Sequence, residues 1–202
     1  MANPIPLTLR VIRNEHQALA AMLRSIPLLL AQQRSRGIAP DFEALRAMLF
    51  YVDEFPERLH HPKESLLLFP KLRARAPQLR EVLDQLEDEH ERGERAIRDL
   101  EHALLAYEML GEPRRDAFET LLQRYVSGYL QHMGTEERDI LPAAERLLSE
   151  ADWRELDEAF ARNQDPLAAE GGVVSAPDGL YQALFQRILN ALPAPLGLAP
   201  AV

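Results

Sequence analysis

Apolar residues recur at alternating steps of three and four over four long segments, the spacing of amphipathic helices that each bury one face. In the first segment the stripe runs Leu9, Ile12, position 16, Leu19, Leu23, Ile26 and Leu30. The second is less regular, because Pro56 and Pro62 interrupt it, and runs Leu45, Leu49, Val52, Pro56, positions 60 and 64, then Leu67 or Leu68. The third runs Leu79, Leu83, Leu86, position 90, Gly93, Ile97, Leu100, Leu104 and Tyr107. The fourth runs Phe118, Leu122, Tyr125, Tyr129, positions 132 and 136, and Ile140. The numbered gaps are filled by His16, His60, Glu64, His90, His132 and Glu136, so every helix points an imidazole into the interior.

Turn signals divide these segments. They are Ser35–Asp41 around Gly37, Phe69-Pro70 through Pro77, and Gly111-Glu112-Pro113. Asp41 is placed to cap the second helix, Pro77 suits the first turn of the third, and Gly111 with Pro113 stops it. Connections this short make successive helices antiparallel, which predicts an all-α, up-down-up-down four-helix bundle. In an antiparallel hairpin two residues lie side by side when the turn sits midway between them. His16 and His60 are centred on residue 38, and His90 and His132 on Gly111, so the four imidazoles are expected at one level. The chain also repeats itself: His60-x-x-x-Glu64 with Pro70 matches His132-x-x-x-Glu136 with Pro142, and Glu15-His16 matches Glu89-His90, at offsets of 72 and 74. Two related helical hairpins follow.

Beyond Ser149 the pattern changes. Trp153, Leu156 and Phe160 suggest a short helix, Gly171–Gly179 a loop, and Leu180, Leu184, Ile188 and Leu192 another helix ended by Pro193. The expected division is therefore 1–150 for the bundle and 151–202 for a helical extension that packs on it or forms an oligomer contact.

Composition narrows the chemistry. The 202 residues carry a formal charge of −9 and no Cys, which removes disulfides, thiolate nucleophiles and thiolate metal sites. The acidic balance and scattered basic residues leave no footprint for nucleic acid or an anionic membrane. No run of apolar residues is long enough for a membrane span, and Met1–Arg10 lacks a leader pattern, so a cytoplasmic protein is expected. Nothing resembles a nucleophile with its base, a Gly-rich phosphate loop or a nucleotide fingerprint, and any turnover would be metal chemistry.

A single core His is ordinarily a satisfied core residue, but six aligned polar groups are not. Each costs about 1 to 3 kcal/mol when buried without a partner, a sum that rivals the stability of a whole domain. A metal removes that cost, and the i, i+4 spacing of His60 with Glu64 and of His132 with Glu136 lets each pair reach one site. With both carboxylates bridging two ions, four bonds fall to each metal and a bridging oxide or hydroxide adds a fifth. Imidazole and carboxylate with open positions suit iron first, with manganese or zinc as alternatives.

At these residues the chain resembles the hemerythrin-like HHE cation-binding proteins, over roughly residues 7–149. The resemblance rests on a His in helix one, His-x-x-x-Glu ending in Leu-Phe-Pro in helix two, Glu-His in helix three and His-x-x-x-Glu-Glu in helix four. It implies a non-haem di-iron centre with His16, His60, His90 and His132 as terminal ligands and Glu64 and Glu136 as bridges. It also implies a range of activities: binding or sensing of oxygen, nitric oxide or iron, peroxide chemistry, and repair of iron–sulfur proteins as an iron donor. The C-terminal stretch resembles the extension of some longer bacterial members. Oxygen carriers of the family have a further His one turn after the helix-three His. Here that position is Glu94, which would act as a harder ligand or stand behind the ligands. Ser65 stands where many relatives have Glu.

Two other readings compete. Glu57-x-x-His60 and Glu87-x-x-His90 fit the spacing of ferritin-like carboxylate di-iron bundles but leave His16 and His132 unused. A metal-free helical interaction module is the other. His61, about 100° from the inward seam, and His102, about 120° from His90, suit solvated positions, or for His61 one beside the site. Glu15 and Glu89 suit solvated or supporting positions, and Tyr129 suits core packing.

Overall fold

The computed structural model describes residues 5–162 and 182–191. Helix α1 (Leu7–Ser35) ends where Gly37 takes φ 64, a left-handed conformation that a side chain would disfavour. The Asp41 side chain accepts the Ala44 amide at 2.9 Å and starts α2 (Phe42–Val52). The second bundle helix then continues without a break through α3 (His61–Lys63) to α4 (Phe69–Arg75), with wider π-helical turns at Asp53–His60 and Glu64–Leu68. A 3₁₀ turn at Pro77–Leu79 leads into α5 (Arg80–Leu110), which stops at Gly111 with φ 74. The fourth helix comprises α6 (Arg115–Thr135), a π turn at Glu136–Ile140 and α7 (Leu141–Leu147). Around the bundle α1 packs on α2 and α6, and α5 on α2 and α6. This is the expected antiparallel four-helix arrangement.

Pro56 and Pro62 do not interrupt the second helix as the sequence suggests; the helix widens instead. His61 donates its amide to Pro56 O, Phe69 to Glu64 O and Leu141 to Glu136 O, each five residues back. Each of these bonds immediately precedes a proline: Pro62, Pro70 and Pro142. A proline lacks the amide proton and its ring crowds the carbonyl four residues earlier, so the preceding amide reaches one residue farther back.

The core is split. One apolar cluster includes Leu19, Leu23, Ile26, Leu45, Leu49, Ile97, Leu104 and Phe118, toward the Gly37 and Gly111 turns. The other includes Leu9, Ile12, Leu68, Phe69, Leu83, Leu86, Ile140 and Leu141 at the opposite end. Between them lies the layer of His16, His60, Glu64, His90, His132 and Glu136, all buried. Leu68 rather than Leu67 takes the second helix's inward position.

Helix α8 (Glu150–Phe160), capped by Ser149 and Asp152 in a reciprocal box, is the helix expected at Trp153, Leu156 and Phe160. It packs on α1, where Asp157 accepts from the Thr8 amide at 2.8 Å and from its hydroxyl at 2.7 Å. Leu156 and Phe160 are fully buried in the second cluster. Helix α9 (Gln182–Ala191) packs on α2 and buries Ile188. The expected loop at residues 171–179, with Leu180, Leu192 and Pro193, lies outside the described residues. No helix among the described residues is long and apolar enough to cross a membrane.

Leu156→Ala is expected to destabilise the whole bundle by about 2 to 5 kcal/mol, because it opens a cavity in a shared core. A urea midpoint within the scatter of wild type would show that α8 is only appended.

Candidate metal centre

The six residues that the four stripes align are brought together. His16 Nε2 lies 3.3 Å from Glu136 Oε2, and His132 Nε2 lies 3.3 Å from Glu136 Oε1, so the two oxygens of one carboxylate face imidazoles of opposite pairs. Glu64 Oε2 is 3.2 Å from His60 Nε2 and 3.7 Å from His90 Nε2, again reaching both pairs. His90 and His132 meet Nε2 to Nε2 at 3.0 Å, and the His16 and His60 ring centroids are 5.2 Å apart.

Each imidazole is held from behind through Nδ1. His60 is tied to Glu15 at 2.6 Å, His132 to Glu89 at 2.9 Å, His16 to Glu137 at 3.2 Å and His90 to Ser65 at 2.8 Å. The repeat noted in the sequence is visible here, since Glu15 and Glu89 correspond, as do Ser65 and Glu137. An Nδ1–H given to a carboxylate sets the tautomer and leaves the Nε2 lone pair directed at the centre. Glu15 is thus buried behind His60 rather than solvated.

Among the described residues His90 and His132 share a hydrogen bond through Nε2, and five other inward atoms lack a partner. His60 Nε2 and both oxygens of Glu64 and of Glu136 are buried with none. Such groups are costly to bury and normally paired. Clusters of ligand atoms within 4.8 Å of one another occur at His16, His60 and Glu64 and at Glu64, His90 and Glu136.

His61 is the residue that sequence reasoning undervalued. It is buried, not solvated, and its ring stacks on His90 with centroids 4.0 Å apart. The π turn that ends at His60 widens the helix, so two consecutive residues face inward. His61 also lies within 4.8 Å of His90 and His132 ligand atoms. Both its nitrogens are nevertheless engaged, Nδ1 with Glu57 at 3.0 Å and Nε2 with the Tyr129 hydroxyl at 2.9 Å. Tyr125 donates to the other Glu57 oxygen at 2.9 Å, which completes a buried Tyr125–Glu57–His61–Tyr129 chain. Tyr129 is therefore a hydrogen-bonding member of the site as well as a packing residue.

Glu94 is not part of the centre. It is exposed and pairs with Arg98 at 3.7 Å. The inward position next to His90 on α5 is Gly93, and the space beside it is filled from the second helix by Glu57 and His61. A Cβ at Gly93 would lie 2.9 Å from Glu57 Oε1. The ferritin-like ligand set fails for the same reason: Glu57 is committed to His61 and Tyr125, and Glu87 faces Arg73 at 2.6 Å on the surface. His102 is exposed, as expected.

The hemerythrin HHE cation-binding domain model matches residues 7–144. The chain belongs to this family. Among curated proteins similar to it, an uncharacterized protein of Haemophilus influenzae is 37% identical over 81 residues, which is 39% of this chain and 45% of that protein. An uncharacterized protein of Mycobacterium tuberculosis is 25% identical over 135 residues, 67% of this chain and 52% of that protein. The chain spans about half the length of these curated relatives. No solved structure matches.

Without a metal, the HHE layer must manage its charges by protonation. Burial opposes charge on His132, but the Glu136 charge and the hydrogen bond to Glu89 outweigh it and hold the imidazole up at about 10. His16 and His60 are raised against the same burial by Glu136 with Glu137 and by Glu64 with Glu15. Burial, with His61 and His132 nearby, pushes His90 down, so it stays neutral and accepts from His132. Burial, reinforced by Glu136, pushes Glu64 up, whereas the His132 charge overrides burial and holds Glu136 down. Burial raises Glu57 to about 7.

Two outcomes follow. A raised imidazole stabilises the fold fully below its unfolded value and loses that contribution as pH climbs through its folded one. Chelator-treated protein should therefore lose stability between about pH 6.5 and 10, read as a falling urea midpoint, and His132→Gln should flatten the fall. Gly93→Ala should destabilise by about 1 to 3 kcal/mol from overpacking against Glu57, although Ala for Gly in a helix ordinarily stabilises by about 0.5 to 1 kcal/mol. In a Glu57→Ala background the ordinary gain should return; its absence there would remove Glu57 as the cause.

Proposed function

We propose that the layer holds two iron ions and that the protein binds or reacts with a small ligand there, namely oxygen, nitric oxide or peroxide, in sensing, redox chemistry or iron handling. His16 and His60 would serve one ion and His90 and His132 the other, with Glu64 and Glu136 shared and an oxide or hydroxide completing the bridge; manganese or zinc is the alternative metal. The observation that carries this reading is the set of buried, partnerless atoms on His60, Glu64 and Glu136, which two cations would satisfy together. Iron, when bound, supplies Lewis acidity, redox capacity and a coordination position for the ligand.

The chain's own contribution is preorganisation. Glu15, Glu89 and Glu137 orient three imidazoles and make them more basic, and Ser65 holds the fourth without adding charge. Apolar clusters close the layer above and below. A cavity of about 20 Å³ beside His16 and His60, lined also by Leu19, Phe55 and Tyr129, offers room on the scale of one water molecule.

A second reading, donation of iron to iron–sulfur proteins, is favoured by the wide cleft that opens on His90 and His132. Rapid loss of ferrous iron to a weak chelator supports donation, and slow loss with reversible oxidation supports the first reading.

Anaerobic loading with ferrous iron is expected to give about two ions per chain and to raise Tm, because a ligand bound only to the folded state stabilises it. Glu136→Ala should lower occupancy to about one or below. Full occupancy in that variant, or an unchanged Tm with no metal in wild type, would sink the assignment.

A further inference from the structure

The two sides of the layer differ in size. Besides the small cavity at His16 and His60, and sharing His61 and Tyr129 with it, a cleft of about 400 Å³ opens between α5 and α6 with His90 and His132 in its lining. A diatomic needs a small fraction of that space, which falls in the range of pockets that take organic ligands. Tyr125 and Tyr129 form one wall, and Ala96 and Leu121 add apolar surface. Gly128 holds it open, with no atom within 4 Å of where its Cβ would be.

The mouth is cationic in a chain of net charge −9. Arg92 and Arg124 line it, both exposed, and neither forms an ion pair among the described residues; Arg92 Nε donates to Asp88 O, and its charge also acts on Glu89. Glu89, the carboxylate on the lining, is committed to His132 and to Gln85 at 2.8 Å. Guanidinium forks match a carboxylate in geometry and charge.

We propose that the α5–α6 cleft binds a small organic carboxylate, with its charged end at Arg92 and Arg124 and its apolar body against Tyr125, Gly128 and Ala96, adjoining His90 and His132. That such a ligand meets a metal rests on the dinuclear reading; that it binds does not.

The test uses the full chain, iron-loaded and chelator-treated in parallel, titrated calorimetrically with phenylacetate, benzoate and hexanoate, with benzamide as the neutral control. Binding of at least one carboxylate is expected in both preparations, about tenfold weaker in Arg92→Ala/Arg124→Ala, and abolished in Gly128→Leu. Leu on an exposed helical position improves helix propensity, so that variant should keep its circular dichroism and Tm. Amide resonances of Gly93 and Gly128 should shift in the chelated protein. Absence of carboxylate binding, equal affinity for benzamide, or unchanged binding in Gly128→Leu would overturn the proposal. Iron at about two per chain with no carboxylate binding rejects the cleft proposal alone, and carboxylate binding with no iron uptake rejects the metal reading alone.

Discussion

The structure depends on a polar layer whose inward atoms the described residues do not all satisfy. Four imidazoles and two carboxylates are buried between apolar clusters, and the atoms turned to the centre include five with no hydrogen-bond partner among the described residues. Burial of this kind normally destabilises a fold. Everything around the layer keeps it in place: Nδ1 of each imidazole is tied down from outside, while the Nε2 atoms and carboxylate oxygens remain turned inward. That division of each ring into a held side and an offered side is what a metal site requires of its protein.

The supporting contacts run around the bundle. Glu15 of α1 holds His60 of the second helix, Ser65 of the second helix holds His90 of α5, Glu89 of α5 holds His132 of α6, and Glu137 of the fourth helix holds His16 of α1. Each helix therefore orients an imidazole on a neighbour, so a displacement of one helix disturbs two rings. The cycle is symmetric in plan and unequal in charge, because Ser65 is neutral where Glu137 is anionic. The His90–His132 half is also the half beside the large cleft and the Tyr125–Glu57–His61–Tyr129 chain. The His16–His60 half is more enclosed, with Phe160 of α8 placed edge-on to His60 at 6.1 Å.

Prolines connect the sequence repeat to this geometry. Pro62, Pro70 and Pro142 each follow an amide that bonds five residues back, and the widened turns carry His60, Glu64 and Glu136. A regular helix would turn adjacent residues about 100° apart, which is why His61 reads from periodicity as facing away. The widened turn draws it in, and His61 with Glu57 then takes the space beside Gly93. Glu94 is left outside that space and meets Arg98 in solvent.

The sequence by itself determined the four helices, their antiparallel order and the common level of six polar side chains, because these follow from the 3.6-residue period and from turn positions that make hairpin midpoints countable. Gly37, Asp41 and Gly111 act where their chemistry predicts. Tertiary structure alone decided which outer group holds each imidazole, that Glu57 and His61 line the centre while Glu94 does not, and that one side of the layer opens wide and the other hardly at all. Those outcomes depend on distances between helices and on rotation accumulated through the widened turns. Neither quantity is periodic along the chain.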